Sequence, residues 1–161
     1  MPYTIEIYRD FDEQLVKEVK LALRAKPSKE KEIVLRINSI GGTLVYMNAV
    51  CTFMYFMRKY HKCKVIAQAH MAQSAALLVF LFCDVRQVHA RSTGTIHLPI
   101  PMRGRYITQE AVQSARQETV DYIARRTKMT AQEVAIYNCV EFNAARMLKT
   151  GIATELVDYF R

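Results

Sequence analysis

The feature that most constrains the fold of this chain is its alternation of short β-rich segments with longer helical segments. Strands and helices that follow one another in this way are typical of an α/β fold with a largely parallel sheet. We predict strands at Thr4–Tyr8, Glu32–Ile37, Val65–Ala69, Arg86–His89 and Thr95–Leu98. We predict helices at Glu13–Ala25 behind an Asp12 cap, at Leu44–Tyr60, from Ala75 onward, at Ile107–Thr127, after a Thr130 cap, and at Ala144–Thr150 before Gly151.

The length and composition of the chain fit a single domain that spans residues 1–161. Hydrophobic residues make up 51% and charged residues 24% of the sequence, which is an ordinary globular balance. The longest apolar run, Ala75–Cys83, is far shorter than the roughly 20 residues that a membrane helix needs, so we predict no membrane span. The N-terminus has no basic start followed by an apolar stretch, which favours a cytoplasmic location over secretion.

The cysteines and the net charge exclude some classes of site. Cys51, Cys63, Cys83 and Cys139 show no paired spacing, so we interpret them as reduced thiols in or near the core and expect no metal. The net charge of +8 raises the question of an acidic partner such as nucleic acid. The basic residues are spread along the chain without a recognised binding motif or an aromatic-basic stacking pattern, which does not favour nucleic acid.

Two turns between a strand and a helix carry candidate chemistry. The turn at 38–42 ends in Gly41 and Gly42, whose backbone N–H groups could approach developing negative charge, although consecutive glycines can also simply make a tight turn. The turn at 73–76 places Ser74 at the start of an apolar helix. A serine at this position is most often a helix cap, but a rigidly held hydroxyl beside the Ala75 amide also suits a nucleophile.

A serine nucleophile needs a base, and His97 is the best placed of the histidines. It lies in a predicted strand that ends at Pro99, where a lone histidine is more often structural than catalytic. His61 follows a charged, surface-like run and His89 is predicted to start a turn, so both compete less well. From the residues alone, the structural and the catalytic interpretation of His97 both stay open.

Taken in order, these segments resemble a known family, the proteolytic subunit of Clp protease and its phage-type relatives. The segment at 33–42, IVLRINSIGG, is similar to the INSPGG turn of that family, with Ile40 where proline is usual. The segment at 65–84 resembles the strand, nucleophile turn and apolar helix of the family, and TGTIHLPI at 93–100 resembles its base segment. The stretches 127–134 and 144–152 resemble two further family motifs.

The resemblance implies an α/β ClpP/crotonase-like fold of repeated strand-strand-helix units with a projecting handle helix at about 107–127. It implies a serine-type peptidase that hydrolyses peptide bonds by acyl transfer, with Ser74 as nucleophile and His97 as general base, and with no cofactor. The amides of Gly42 and Ala75 would form the oxyanion hole, and Gly41 would allow the turn.

Besides Ile40, two positions and one spacing depart from the family pattern. His70 stands where the family has a glycine ahead of the nucleophile, and Cys139 stands where it has the aspartate of the triad. Glu141 and Asn138 are the nearby substitutes for that aspartate. The separation of 23 residues between Ser74 and His97 suits the phage-type relatives, whereas the longer spacing of the bacterial subunit would place Ala72 at the nucleophile position.

The resemblance also predicts binding partners and leaves two alternative functions open. It implies a peptide or unfolded-protein substrate and a homo-oligomeric ring. The chain begins almost at its first strand, so the segment that helps the family dock an ATPase is not expected, and neither is a Clp-type ATPase partner. One alternative is a catalytically weak or inactive ClpP-like scaffold or assembly subunit. Another is an acyl-CoA enzyme of the crotonase fold, for which the chain is short.

Overall fold

The computed structural model describes residues 2–101 and 108–160. The described strands are β1 (Tyr3–Ile7), β2 (Glu32–Ser39), β3 (Lys64–Gln73), β4 (Val85–Thr95), β5 (Glu141–Asn143) and β6 (Glu155–Leu156). The described helices are α1 (Glu13–Ala25), α2 (Leu44–His61), α3 (Ala75–Phe82), α4 (Gln109–Arg126), α5 (Ala131–Ile136) and α6 (Ala144–Lys149).

The strands form one sheet in the order β1-β2-β3-β4-β5, with β6 also paired to β4. The pairs from β1 to β4 are parallel, β5 runs antiparallel to β4, and β6 runs parallel to it. The predicted α/β fold with a largely parallel sheet is therefore confirmed. Because the carboxyl ends of β2 and β3 lie at the same edge of this sheet, the turns that follow them are brought together.

Local sequence signals account for several helix boundaries. The Asp12 side chain accepts a hydrogen bond from the Leu15 amide at the start of α1, as predicted. Thr130 and Glu133 form a reciprocal capping box at the start of α5. Every residue from Ala75 to Leu81 in α3 is buried, so this helix runs through the core. Among the described residues, no helix is long and apolar enough to cross a membrane.

The strand predictions fail around His97. Two strands were expected at 86–89 and 95–98, but a single strand, β4, runs through to Thr95, and His97 lies in extended chain after it. β4 continues because its end pairs with residues 71–73 of β3. Beyond Thr95, the Leu98 amide donates to the Asn138 side chain and the Ile96 carbonyl accepts from the Cys139 amide. The short strands β5 and β6 were not predicted.

The burial and the bounds of two helices, α2 and α4, can be compared with the sequence predictions. α2 was expected to be interior, but only one face of it is buried, and Val45, Tyr55, Phe56 and Tyr60 are exposed. The expected helix at 107–127 corresponds to α4, although its predicted first residue lies outside the described residues. No residue from 109 to 118 is fully buried, whereas Thr119, Val120 and Ile123 pack into the core.

Candidate active site

The two turns singled out in the sequence meet at the edge of the sheet. The Cα of Gly41 lies against Ser74 so closely that a Cβ at this glycine would come within 2.7 Å of the Ser74 Cβ and 2.8 Å of the Gln73 carbonyl oxygen. Gly41 has a φ of 111°, which a residue with a side chain rarely adopts. A glycine at position 41 is therefore required both by the backbone conformation and by the approach of the two turns.

Ser74 occupies a strained turn between β3 and α3. Its φ of 52° and ψ of −124° match the first central position of a type II′ turn, which glycine normally occupies. The Ser74 side chain makes no capping hydrogen bond to α3, so the helix-cap interpretation of this serine is wrong. A non-glycine residue in such a conformation costs on the order of 1–3 kcal/mol, and strain of this kind is often found at functional sites.

His97 lies beside this serine. Its Nδ1 atom is 3.4 Å from the Ser74 Oγ atom, at the long end of hydrogen-bonding distance. Among the described residues, Ser74 is the only side chain to which the imidazole is hydrogen-bonded. The pair has the arrangement of a nucleophile and a general base, and such contacts commonly tighten when substrate binds.

Two backbone N–H groups near Ser74 are free to bind an anion. The Gly41 amide donates to the Ser39 hydroxyl and its carbonyl accepts from Phe11. Within residues 2–101 and 108–160, neither the Gly42 amide nor the Ala75 amide donates a hydrogen bond. Ala75 begins α3, where the first amides of a helix lack partners and favour negative charge. The two free amides are those that the resemblance assigns to an oxyanion hole.

A cleft of about 530 Å³, which we call the Ser74 cleft, opens beside Ser74 and His97. Its walls are mainly apolar, and Asp10 supplies a carboxylate. The apolar residues that line the cleft are Ile40, Leu44, Val45, Leu78, Pro99, Ile100, Ala111, Val112 and Ala115. A cleft with these walls suits an apolar side chain of a bound substrate.

The candidates for a third catalytic residue lie on the segment before β5. Thr95 pairs with Glu141 in antiparallel register, and just before this pair the Cys139 amide donates to the carbonyl of Ile96, the residue that precedes His97. The Cys139 side chain is exposed and its φ is 64°, so its interpretation as a core or near-core thiol is wrong. Asn138 binds the Leu98 amide, and Glu141 is exposed. No described carboxylate is hydrogen-bonded to His97.

The other cysteines are poor nucleophiles. Burial raises the pKa of the Cys51 thiol and of the Cys83 thiol to about 12, so both stay protonated at neutral pH. Cys63 is also buried. Among the described residues, no group of three or more histidine, cysteine or acidic side chains could hold a metal ion.

Two further positions that differ in the comparison with the family pattern, Ala72 and His70, lie away from the opening of the Ser74 cleft. Ala72, the alternative nucleophile position, is a fully buried residue inside β3. His70 is exposed and contacts His89 and Phe160, none of which lines the Ser74 cleft. The histidine that replaces the family glycine therefore does not crowd the turn at Ser74.

Comparison with known proteins decides the family. The model of the Clp protease family matches residues 2–158, nearly the whole chain. This chain belongs to the Clp protease family. Membership supports a serine peptidase of the ClpP type and confirms the resemblance seen in the sequence. A search of curated proteins found no match.

Solved structures share the fold. ClpP1 from Listeria monocytogenes superimposes with a TM-score of 0.82 at 20% sequence identity, covering 98% of this chain and 92% of that chain. A point mutant of the same ClpP1 gives the same values. At this identity the similarity shows the fold, which confirms the predicted ClpP-like class. The wider comparison with crotonases and the role of α4 as a handle stay predictions.

Proposed function

We propose that this chain is a ClpP-type serine endopeptidase in which Ser74 is the nucleophile and His97 the general base. The observation that carries the proposal is the strained Ser74, whose hydroxyl lies 3.4 Å from the His97 imidazole at the edge of an apolar cleft. A structural serine gains nothing from a turn conformation that glycine would adopt at lower cost. A nucleophile gains an exposed, rigidly held hydroxyl.

The mechanism is acyl transfer. The Ser74 Oγ attacks the carbonyl carbon of a peptide bond while the facing His97 nitrogen accepts the hydroxyl proton. The N–H groups of Gly42 and Ala75 donate to the oxyanion of the tetrahedral intermediate. His97 then protonates the leaving amine, and a water molecule hydrolyses the acyl-enzyme. A peptide with an apolar side chain next to the cleaved bond is the expected substrate, because the Ser74 cleft has mainly apolar walls.

Labelling with a fluorophosphonate probe tests this proposal. The probe should modify the wild-type chain at Ser74, as shown by peptide mapping, and Ser74→Ala should abolish labelling. Ser114→Ala is the matched control, because Ser114 is an exposed serine on α4. Attachment of the probe to another residue, or equal labelling of the Ser74→Ala variant, would contradict the assignment.

We propose further that the peptidase works as a homo-oligomeric ring. α4 carries an apolar stripe that could contact another subunit, but the residues of that stripe are used within the chain. Val112 and Ala115 line the Ser74 cleft, and Val120 and Ile123 are buried. The exposed apolar face of α2 is the better support, because exposed patches of this kind often mark subunit contacts. Sedimentation showing only monomer at micromolar concentration would contradict the ring.

A second candidate is a ClpP-like subunit that assembles but turns over slowly or not at all. The observation that favours it is the absence of a carboxylate hydrogen-bonded to His97 among the described residues. Without such a partner, the imidazole is less well oriented and the imidazolium less stabilised. Ring assembly without probe labelling would support this candidate, and labelling at Ser74 with hydrolysis of peptides would exclude it.

A further inference from the structure

A pair of histidines lies outside the candidate active site, at an irregularity shared by β3 and β4. The β3–β4 pairing is interrupted here, because Ala69 pairs with Val88 and Met71 with Thr93, so that His70 on β3 and residues 89–92 on β4 are unpaired. The β2–β3 register shifts at the same place, since Ile37 pairs with Ala69 and Asn38 with Met71. Such bulges redirect a side chain out of the sheet pattern. Here the His70 Nδ1 atom lies 2.8 Å from the His89 Nε2 atom.

The contacts of the pair fix the position of each proton. The Arg91 amide donates to the Nδ1 atom of His89 at 3.0 Å, so that nitrogen carries no proton. The Nε2 atom of His89 therefore carries one and donates it to the Nδ1 atom of His70. By the same rule, the neutral His70 carries its proton on Nε2. Within the described part of the chain, this N–H has no acceptor.

The free N–H of His70 belongs to a basic pocket of about 420 Å³, which we call the histidine pocket. Arg36 and Arg91 also line it, and the Nε atom of Arg36 donates a hydrogen bond to the Gln68 side chain. Neither arginine forms an ion pair with a described carboxylate. The lining residues are Tyr8, Arg36, His70, His89, Ala90, Arg91, Asp158, Tyr159 and Phe160.

Acidic groups near the histidine pocket do not cancel its charge. Among the described residues of the lining, Asp158 is the only one with a carboxylate, against two arginines. Glu6 lies opposite Arg36 in the β1–β2 register, without an ion pair between them. The pKa of His70 is lowered by burial, by His89 and by Arg36, which favours the neutral form of His70 at neutral pH. A net positive, donor-rich pocket suits an anion.

We propose that the histidine pocket binds a phosphate group, held by the Arg36 and Arg91 guanidinium groups and the Nε2–H of His70. Guanidinium groups bind the oxygens of phosphate through pairs of N–H donors. His89 fixes the proton of the His70 imidazole on Nε2 and so orients this N–H, which is the third donor. The rings of Tyr8, Tyr159 and Phe160 form apolar walls beside these donors. An aromatic phosphate monoester should therefore bind more tightly than inorganic phosphate.

Isothermal titration calorimetry of the full chain with inorganic phosphate and with phenyl phosphate, at constant ionic strength set by chloride, tests the proposal. One phosphate group should bind per chain. Arg36→Gln and Arg91→Gln should each weaken binding roughly tenfold or more, as expected when a charge-assisted hydrogen bond is lost. Arg125→Gln is the control, because it removes the same charge from an exposed arginine on α4. It should leave the affinity unchanged.

The two ligands distinguish the source of the phosphate. Tighter binding of phenyl phosphate identifies a monoester as the ligand class, and equal binding identifies the free ion. Absence of saturable binding to the wild-type chain, or equal weakening by Arg125→Gln, would overturn the proposal. A rise in the His70 pKa on saturation with phosphate, followed by the imidazole resonances of the wild-type chain, is expected from the added negative charge. This measurement requires no variant to fold, and an unchanged pKa would also overturn the proposal.

Discussion

The turn at Ser74 and the segment 138–141 face the same histidine but are built differently. At Ser74 the strained φ, the adjoining Gly41 and the two free amides all fit one chemical role. In the segment 138–141, the Cys139 amide donates to the Ile96 carbonyl and the Asn138 side chain accepts from the Leu98 amide, so the segment is fixed beside residues 96–98. The side chain at the position that the resemblance assigns to the triad aspartate is the thiol of Cys139, whose amide donates to the Ile96 carbonyl.

The difference separates two requirements of a serine peptidase. The positions of the nucleophile and of the oxyanion donors depend mainly on the backbone geometry of the two turns. Once the glycines are present, many different side chains at the neighbouring positions are compatible with that geometry. Orientation of the base depends on one side chain of the right charge. We therefore expect acylation of Ser74 to be detectable more easily than turnover, since the loss of the triad aspartate lowers turnover by around ten-thousandfold in a known serine protease.

The largest expected effect is that of Ser74→Ala on hydrolysis. Removing the hydroxyl should lower cleavage of an unstructured peptide by at least about a thousandfold, as loss of the nucleophile does in serine proteases. Alanine has the same backbone restrictions as serine, so the circular dichroism spectrum and the melting temperature should change little. Peptidase activity in a folded Ser74→Ala protein would show that Ser74 is not the nucleophile. The contrast between the turn at Ser74 and the segment 138–141 would then not hold.

The next effect tests the contact between the two turns. Gly41→Ala should lower the rate of probe labelling at Ser74 by about a hundredfold, because the new Cβ would displace Ser74 and weaken the oxyanion site. Gly94→Ala is the matched control. A Cβ at position 94 would meet only the flexible ends of Met147 and Leu77 at 3.0 Å or more. Equal labelling rates in the two variants would show that the close approach at Gly41 is not needed.

Cys139→Asp should sharpen the comparison by supplying the missing charge. A carboxylate at the position that the resemblance assigns to the triad aspartate would orient the His97 imidazole and stabilise the imidazolium, so turnover should rise by about tenfold or more. Cys139→Ser, which adds no charge, should leave turnover unchanged. Steady-state hydrolysis and burst kinetics measure the two steps separately. A native turnover that is already fast and is unaffected by changes at Cys139 and Glu141 would show that the third residue lies elsewhere or that a dyad suffices.

The smallest effect concerns the strain at Ser74. Ser74→Gly should be more stable than Ser74→Ala by about 1–2 kcal/mol, because glycine adopts a φ of 52° without a steric cost. Chemical denaturation of both variants measures this difference. Neither variant has the hydroxyl, so the comparison isolates the backbone. Equal stabilities would mean that the turn at Ser74 stores no strain.

The sequence predicted the elements whose signals are local. The Asp12 and Thr130 caps, the apolar run of α3 and the order of the first three strands were all read from neighbouring residues, and all are confirmed. The strand at Arg86–His89 was predicted too short. Its continuation to Thr95 depends on pairing with β3, which no local pattern records.

Sequence by itself singled out Ser74, His97 and the two glycines as candidates, because small residues and a hydroxyl at the ends of strands are visible in the residue order. Only the tertiary structure decided that Ser74 has a positive φ and that Gly41 lies against it. It also decided that Cys139 is exposed and that His70 meets His89 across a bulge. These features arise from register and from packing between segments far apart in the chain, so no local sequence signal could reveal them.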